Sequence, residues 1–207
     1  MPTILSSNKK TGVSLNLPVA NCNPTKICRH CCYGRHHYLG HGRACLAKWI
    51  RNSKYLAQTH DCIELIAEAR AFSAVRISGV GDILPEHVPN LLKLAKACPN
   101  TQFWGMTRKP ELAHQLNGRS QNLRLLVTVD ASSPDSTWDY DGRLCYGPRR
   151  ATDKVPRDKR IVTVFPYHNS GKIVGSVPEH RLDCPAIRHK VSGCLECGRC
   201  WLWKVIN

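Results

Sequence analysis

The chain has 207 residues, enough for one domain with a small appendage that buries roughly 70% of the surface its unfolded form exposes. Apolar residues are 42% and charged residues 22%, a globular mixture that excludes a disordered chain. Lys plus Arg number 30 against 15 for Asp plus Glu, and the resulting +15 points to a polyanionic partner or substrate.

No run has the length of a membrane-spanning helix, and Met1 to Lys10 has no apolar signal region. A membrane protein and a secreted protein are both disfavoured, and a cytoplasmic location is expected. Ser14 to Val19 alternates apolar and polar residues and reads as a short strand ending just before Cys22. Leu46, Trp49, Ile50 and Ala57 fall on one helical face. Asp61-Cys62-Ile63-Glu64 looks like a capping box, with Ile63, Ile66 and Ala67 on the buried stripe behind it. Ala74 to Ser78 is a strand, followed at once by Gly79-Val80-Gly81-Asp82. Pro85 opens a helix whose apolar face is Val88, Leu91, Leu92 and Ala95. Thr101 to Met106 is strand-like, Pro110 to Leu116 helical, and Leu123 to Val129 a strong strand ending at Asp130. Ala131 to Lys159 reads as a long loop, and Arg160 to Phe165 as another strand.

Strand and helix alternating over short connections predict βαβ units and a parallel sheet. About five strands are too few for a closed eight-stranded barrel. The expected architecture is α/β, a partial (β/α) barrel or open parallel sheet over residues 1–177, with a C-terminal cysteine-rich cluster-binding segment over 178–207.

Twelve cysteines are the compositional outlier, and eight of them gather at the two ends of the chain. In a reducing compartment such clusters hold metal more often than disulfides. Cys22, Cys28, Cys31 and Cys32 lie in the loop after the first strand, and active sites of parallel α/β folds occupy that end of the strands. Three of these thiolates suffice for three corners of an iron–sulfur cube and leave the fourth iron open. Cys31 and Cys32 are adjacent, so their side chains diverge; Cys32 is the preferred ligand, giving C-x5-C-x3-C. The competing reading is a structural zinc site joining Cys28 and Cys31 to Cys197 and Cys200.

Cys184, Cys194, Cys197 and Cys200 are spaced C-x9-C-x2-C-x2-C, similar to the tight runs that wrap one [4Fe–4S] cube in bacterial ferredoxins. A four-cysteine zinc site competes here too. His30, His36, His37 and His41 crowd the first cluster as further metal or anion ligands. Arg149, Arg150, Lys154, Arg157, Lys159 and Arg160 form the densest basic stretch, a candidate nucleic-acid surface. Trp201 and Trp203 would either stack on bases or shield the second cluster. No Walker loop, no G-x-S-x-G elbow and no His-Glu-x-x-His occurs.

A three-cysteine loop after the first strand, a glycine-rich acidic turn after the second and a C-terminal four-cysteine segment resemble a compact radical S-adenosylmethionine (SAM) enzyme with an auxiliary cluster. The Leu-rich first strand, Cys32-Tyr33-Gly34 and Cys194-x2-Cys197-Gly-x-Cys200-Trp201 resemble the phage gene product 88 domain family. The first cysteine spacing departs from the commonest radical SAM pattern, C-x3-C-x2-C. The resemblance implies two [4Fe–4S] clusters, one on Cys22, Cys28 and Cys32 with SAM on its open iron, and one closed by the C-terminal four cysteines. It implies that Ser78, Gly79, Gly81 and Asp82 contact the methionyl amine and that Tyr33 lies beside the adenine. Thr107 and Asp130 would supply further polar contacts. It also implies an electron donor as partner, an anionic nucleotide or nucleic-acid substrate, and the host cytoplasm as location. A non-catalytic iron–sulfur or zinc protein that binds nucleic acid or another protein is the alternative.

Overall fold

The computed structural model describes residues 3–8, 11–30, 32–149, 152–166, 168–169, 172–173, 180–188, 190–198 and 200; of these, the side chains of 8, 33, 36–42, 148–149, 168–169 and 172–173 are not described. The chain opens with two strands, β1 (Ser6–Asn8) and β2 (Gly12–Leu15). Two helices follow, α1 (Lys26–His30) and α2 (Tyr33–Gln58). Then come α3 (Ile63–Ala69), β3 (Ala74–Ile77), α4 (Val88–Ala97), β4 (Gln102–Thr107), α5 (Pro110–Leu116) and β5 (Leu123–Val129). A four-residue helix α6 (Asp135–Trp138), β6 (Leu144–Arg149) and β7 (Ile161–Pro166) complete the main body. A small antiparallel pair, β8 (His168–Asn169) and β9 (Lys172–Ile173), precedes the C-terminal turn α7 (Cys194–Cys197).

The seven strands lie in chain order, β1 to β7, in one sheet. Only β1 runs antiparallel to its neighbour; β2 through β7 are parallel. Parallel neighbours need crossovers, which the intervening helices supply for β2 to β5. Sequential order without a reversal is the winding of a (β/α) barrel rather than a doubly wound sheet. Among the described residues the sheet stays open, with β1 and β7 as its edges.

Register assigns the two faces. Leu15, Ile77, Gly105 and Leu125 stand in one row, and Val127, Leu144 and Ile161 in another. These residues join Leu65, Leu91, Leu94, Leu112 and Leu116 from the helices in the main core. The opposite face carries the rows Ser14, Arg76, Trp104, Arg124 and Thr128, Cys145, Thr163. A parallel sheet is ordinarily apolar on both faces, so this polar face marks a surface that does something other than pack.

The C-terminal segment covers the open side. Val164 N–H donates to Leu182 O at 2.7 Å and Cys184 N–H to Val164 O at 2.8 Å, so the chain extends the sheet one bridge beyond β7. The Asp183 carboxylate, fixed by the Arg188 guanidinium and by His180 N–H at 3.0 Å, holds that turn. At the other edge Leu195 packs over Gly12, the first residue of β2. The segment therefore spans from one edge of the sheet to the other.

Several expected elements shift. β1 and β6 were not expected as strands: β1 is three residues long, and Gly147 and Pro148 break the apolar pattern of β6 inside the stretch read as a loop. The expected capping box at Asp61 does not form. Cys62 is the N-cap, at φ 53, and the helix starts one residue later. Leu65 and Ala69 are consequently the fully buried residues of α3, while Ile63 is 66% exposed.

Candidate metal and cofactor site

The loop that carries the first cysteines is built on Asp130, at the end of β5. Its carboxylate accepts hydrogen bonds from Thr25 Oγ1 at 2.6 Å and from Ser132 N–H and Oγ at 2.8 and 2.9 Å. It also pairs with the Arg108 guanidinium at 2.9 Å. Thr25 Oγ1 in turn accepts from Cys28 N–H at 3.1 Å, and Ser132 Oγ accepts from Ile27 N–H at 3.2 Å. One buried carboxylate thus ties α1, with Cys28 inside it, to the carboxyl end of the sheet. Thr-x2-Cys is a local N-terminal capping pattern, and only the fold supplies Asp130 from 105 residues away.

Cys22, Cys28 and Cys32 line one cavity of about 300 Å³. Burial pushes the Cys22 thiol up to about 12, helped by Asp82, Cys32 and Cys28 and opposed by Lys109. Burial also raises Cys28, against the Arg108 guanidinium that hydrogen-bonds it. The three sulfurs are thus close enough to feel one another. Cys32 is the N-cap of the 26-residue α2, whose N-terminal dipole end favours negative charge there. Two residues on, Gly34 is packed so tightly that a Cβ would stand 2.9 Å from Val80 Cγ1.

The turn after β3 forms the adjoining wall. Ser78, Val80, Gly81 and Asp82 line the cavity, whereas Gly79 is packed against Asn16 and Ser14. Asn16 Oδ1 accepts from Val80 N–H at 3.1 Å, and Leu17 N–H donates to Val80 O at 2.9 Å, locking the turn to the chain after β2. Gly81, at φ 76, admits no side chain, because a Cβ would lie 2.2 Å from Leu17 O. Ser78 holds φ 54, and its buried hydroxyl has no hydrogen-bond partner among the described residues. Asp82 is raised by burial, against hydrogen bonds from Arg108 N–H, Thr107 and Ile83 N–H. Thr107 also lines the cavity, with its hydroxyl accepting from Lys109 N–H at 3.1 Å. Asp130 lies outside this lining; all of its contacts go to the loop and to Arg108.

The C-terminal cysteines also converge. Cys184, Cys194, Cys197 and Cys200 line a second, small cavity of about 10 Å³ together with Thr163, whose buried hydroxyl has no partner among the described residues. Burial drives the Cys200 thiol well above its ordinary value, reinforced by Cys145, Cys184 and Cys194. Cys184 and Cys194 line the larger cavity as well, so the two cysteine groups meet at one space. Cys28 therefore stands with Cys22 and Cys32, apart from the cavity that Cys197 and Cys200 share. Of the competing zinc site on Cys28, Cys31, Cys197 and Cys200, Cys31 lies outside the described residues and Cys28 does not line the small cavity. Among the described residues no three His, Cys, Asp or Glu side chains draw close enough for a single metal ion, and the described cysteines are free thiols.

Cys31, Arg150, Trp201 and Trp203 lie outside the described residues, as do the side chains of Tyr33, His36, His37, His41 and Arg149. His30 is exposed, and so are Lys154, Arg157 and Lys159. Arg160 is not a free cation. It pairs with Asp158 at 2.6 Å and donates to the carbonyls of Trp138 and Tyr140, closing the excursion before β7.

Sequence reasoning missed Arg76, Met106, Thr128 and Arg108, all on the cavity wall. Arg76 and Thr128 are single polar residues between apolar strand neighbours, Val75 and Ile77 or Val127 and Val129, and that is the available signal; Met106 and Arg108 carry none.

Fold and site define an open, mostly parallel α/β protein whose polar sheet face and two converging cysteine groups enclose one cavity. The family model of Gene product 88 matches residues 3–202, and the chain belongs to that phage family. No curated protein and no solved structure matches it.

Proposed function

We propose that the chain is an iron–sulfur enzyme of the radical SAM type that acts on an anionic substrate. Cys22, Cys28 and Cys32 would hold one [4Fe–4S] cluster with an open iron, and Cys184, Cys194, Cys197 and Cys200 a second, closed one. The observation that carries the reading is the shared cavity, lined by three thiols of the first group, two of the second and Ser78, whose buried hydroxyl has no partner among the described residues. The donor set fits. Thiolates are the ligands of such clusters, and a cube spreads them further apart than a single ion does. When bound, the cluster and SAM supply one-electron cleavage of a sulfonium to a carbon-centred radical.

The chain's own residues do the rest. Asp130, Thr25 and Ser132 fix the cysteine loop, and Arg108 neutralises charge beside Cys28. The locked turn from Ser78 to Asp82 offers backbone at close range and a carboxylate suited to an ammonium group. The C-terminal segment contributes Cys184, Ala186, Ile187 and Cys194 to the cavity lining. Binding either cluster displaces protons from buried thiols, so loading rises with pH. An electron donor is needed as partner, and the reducing host cytoplasm suits the chemistry. Among the described residues no helix is long and apolar enough to cross a membrane.

Anaerobic iron and sulfide analysis tests this reading. Two cubes are expected, and SAM should perturb only the N-terminal cluster's paramagnetic signal, with slow 5′-deoxyadenosine formation. Cys22→Ala, Cys28→Ala or Cys32→Ala should abolish both effects. Stoichiometric zinc without sulfide removes the catalytic reading. A second reading, a non-catalytic cluster or zinc protein that binds nucleic acid or a protein partner, draws on the exposed Lys154, Arg157 and Lys159 and on the +15 charge.

A further inference from the structure

Two arginines line the cavity between the cysteine groups, and they differ in one respect. Arg108 has its counter-charge in Asp130 at 2.9 Å. Arg76, in the middle of β3, has none: among the described residues no carboxylate pairs with it. Its Cζ lies 5.1 Å above the Trp104 ring, and its Nη2 lies 4.0 Å from Met106 Sδ, a weak acceptor. Its Nε is buried and makes no hydrogen bond among the described residues. The residue as a whole is half-buried; a guanidinium presents five donors and a permanent positive charge, and enclosing its Nε without an acceptor is unfavourable. Stacking on an aromatic face leaves the in-plane edge of the fork free, the edge that meets carboxylate or phosphate oxygens. Ser78 Oγ, also buried and unpartnered on a strained left-handed backbone, opens on the same cavity. The remaining wall is largely apolar, with Val19, Val80, Phe165, Ala186 and Ile187.

We propose that Arg76 receives a carboxylate or phosphate group of a small-molecule substrate whose apolar part lies against Phe165, Met106 and Ile187. The proposal rests on reading this cavity as the site of chemistry. A volume of about 300 Å³ is at the low end of small-molecule sites and does not admit a nucleic-acid strand. The competing anion is the C-terminal cluster, because the charge of Arg76 reaches Cys145 and Cys200. Arg76 lines the larger cavity and not the small one enclosed by the four cysteines, which favours the substrate.

The test is calorimetric titration of the full chain with inorganic phosphate, with acetate and separately with SAM, on wild type, Arg76→Met and Arg76→Lys. Phosphate or acetate should bind the wild type and lose about tenfold or more in affinity in Arg76→Met, because a charge-assisted bidentate contact disappears. Arg76→Lys keeps the charge without the planar fork and should lose less, which keeps the test valid if Arg76→Met folds poorly. SAM affinity should stay within about twofold of wild type, because the proposed contact is to substrate and not to SAM. Anion binding that is absent, or unchanged in both variants, overturns the proposal. So does a tenfold loss of SAM affinity, which would assign the guanidinium to SAM's own carboxylate. A shifted absorption spectrum of the C-terminal cluster in Arg76→Met without anion binding overturns it in favour of the cluster. Arg76-dependent phosphate binding in a chain that holds only zinc would keep this site and end the radical reading. Clusters that respond to SAM without such binding would do the reverse.

Discussion

Asp130 is the residue on which the cysteine loop depends, and Asp130→Ala measures how much. The side chain is completely buried, accepts from Thr25 and Ser132, and is the sole carboxylate paired with Arg108 among the described residues. Arg108 is itself only 10% exposed and would keep no charged partner among the described residues, only the carbonyls of Thr128 and Gly147, at 3.4 and 3.1 Å, and its contact with the Cys28 thiol. Breaking a buried pair by removing one partner costs about 3–5 kcal/mol, a large part of the ~5–15 kcal/mol that holds a typical domain together. Replacing both partners by apolar groups is far milder, so Asp130→Ala with Arg108→Met should recover about 2 kcal/mol of that loss. Urea unfolding of the reduced, metal-free protein reads these numbers as a shift in midpoint at unchanged slope. Iron loading at Cys22, Cys28 and Cys32 should fall in parallel, since α1 loses its tether. An Asp130→Ala variant within about 1 kcal/mol of wild type, or a double variant no more stable than the single, would refute the reasoning.

His87 gives a pH signature: burial lowers it to about 4, below its ordinary 6.5, while Ser53 and Leu84 N–H hold the neutral ring. Between those values the unfolded chain binds the extra proton, so stability falls as pH drops from about 6.5 to 4, by up to ~3 kcal/mol; His87→Gln should flatten that limb of a urea midpoint series. Gly81→Ala forces a Cβ against Leu17 O at positive φ and should lower stability by more than about 1 kcal/mol, read by thermal unfolding. Arg160→Ala should act on stability rather than on nucleic-acid affinity, because its guanidinium is engaged with Asp158 and two carbonyls. Neutralising Lys154, Arg157 and Lys159 together should leave stability unchanged and flatten the salt dependence of any RNA or DNA binding; an unchanged slope marks them as a solvated face.

Periodicity made most of the fold legible. Leu123 to Val129 and Pro110 to Leu116 form the strand and the helix their patterns predict, because a long apolar run and a proline at the first helical position are local signals. β6 was not legible, since Gly147 and Pro148 contradict strand propensity locally and pairing on both sides with β5 and β7 overrides them. α3 slipped by one residue because the left-handed Cys62, not Asp61, ends the preceding turn.

The cysteine spacing by itself determined that thiols gather in two groups, one near each end of the chain, because clustered thiols need only short loops to converge. That Cys184 and Cys194 would share a cavity with Cys22, Cys28 and Cys32 was decided by the tertiary structure alone. The C-terminal segment reaches them by bridging β7 and packing on Gly12, at opposite edges of the sheet. The same holds for charge. Thirty Lys and Arg are countable in the sequence, but which of them are spent on carboxylates, as Arg108 and Arg160 are, and which stands half-buried with no carboxylate among the described residues, as Arg76 does, depends on contacts between residues far apart in the chain.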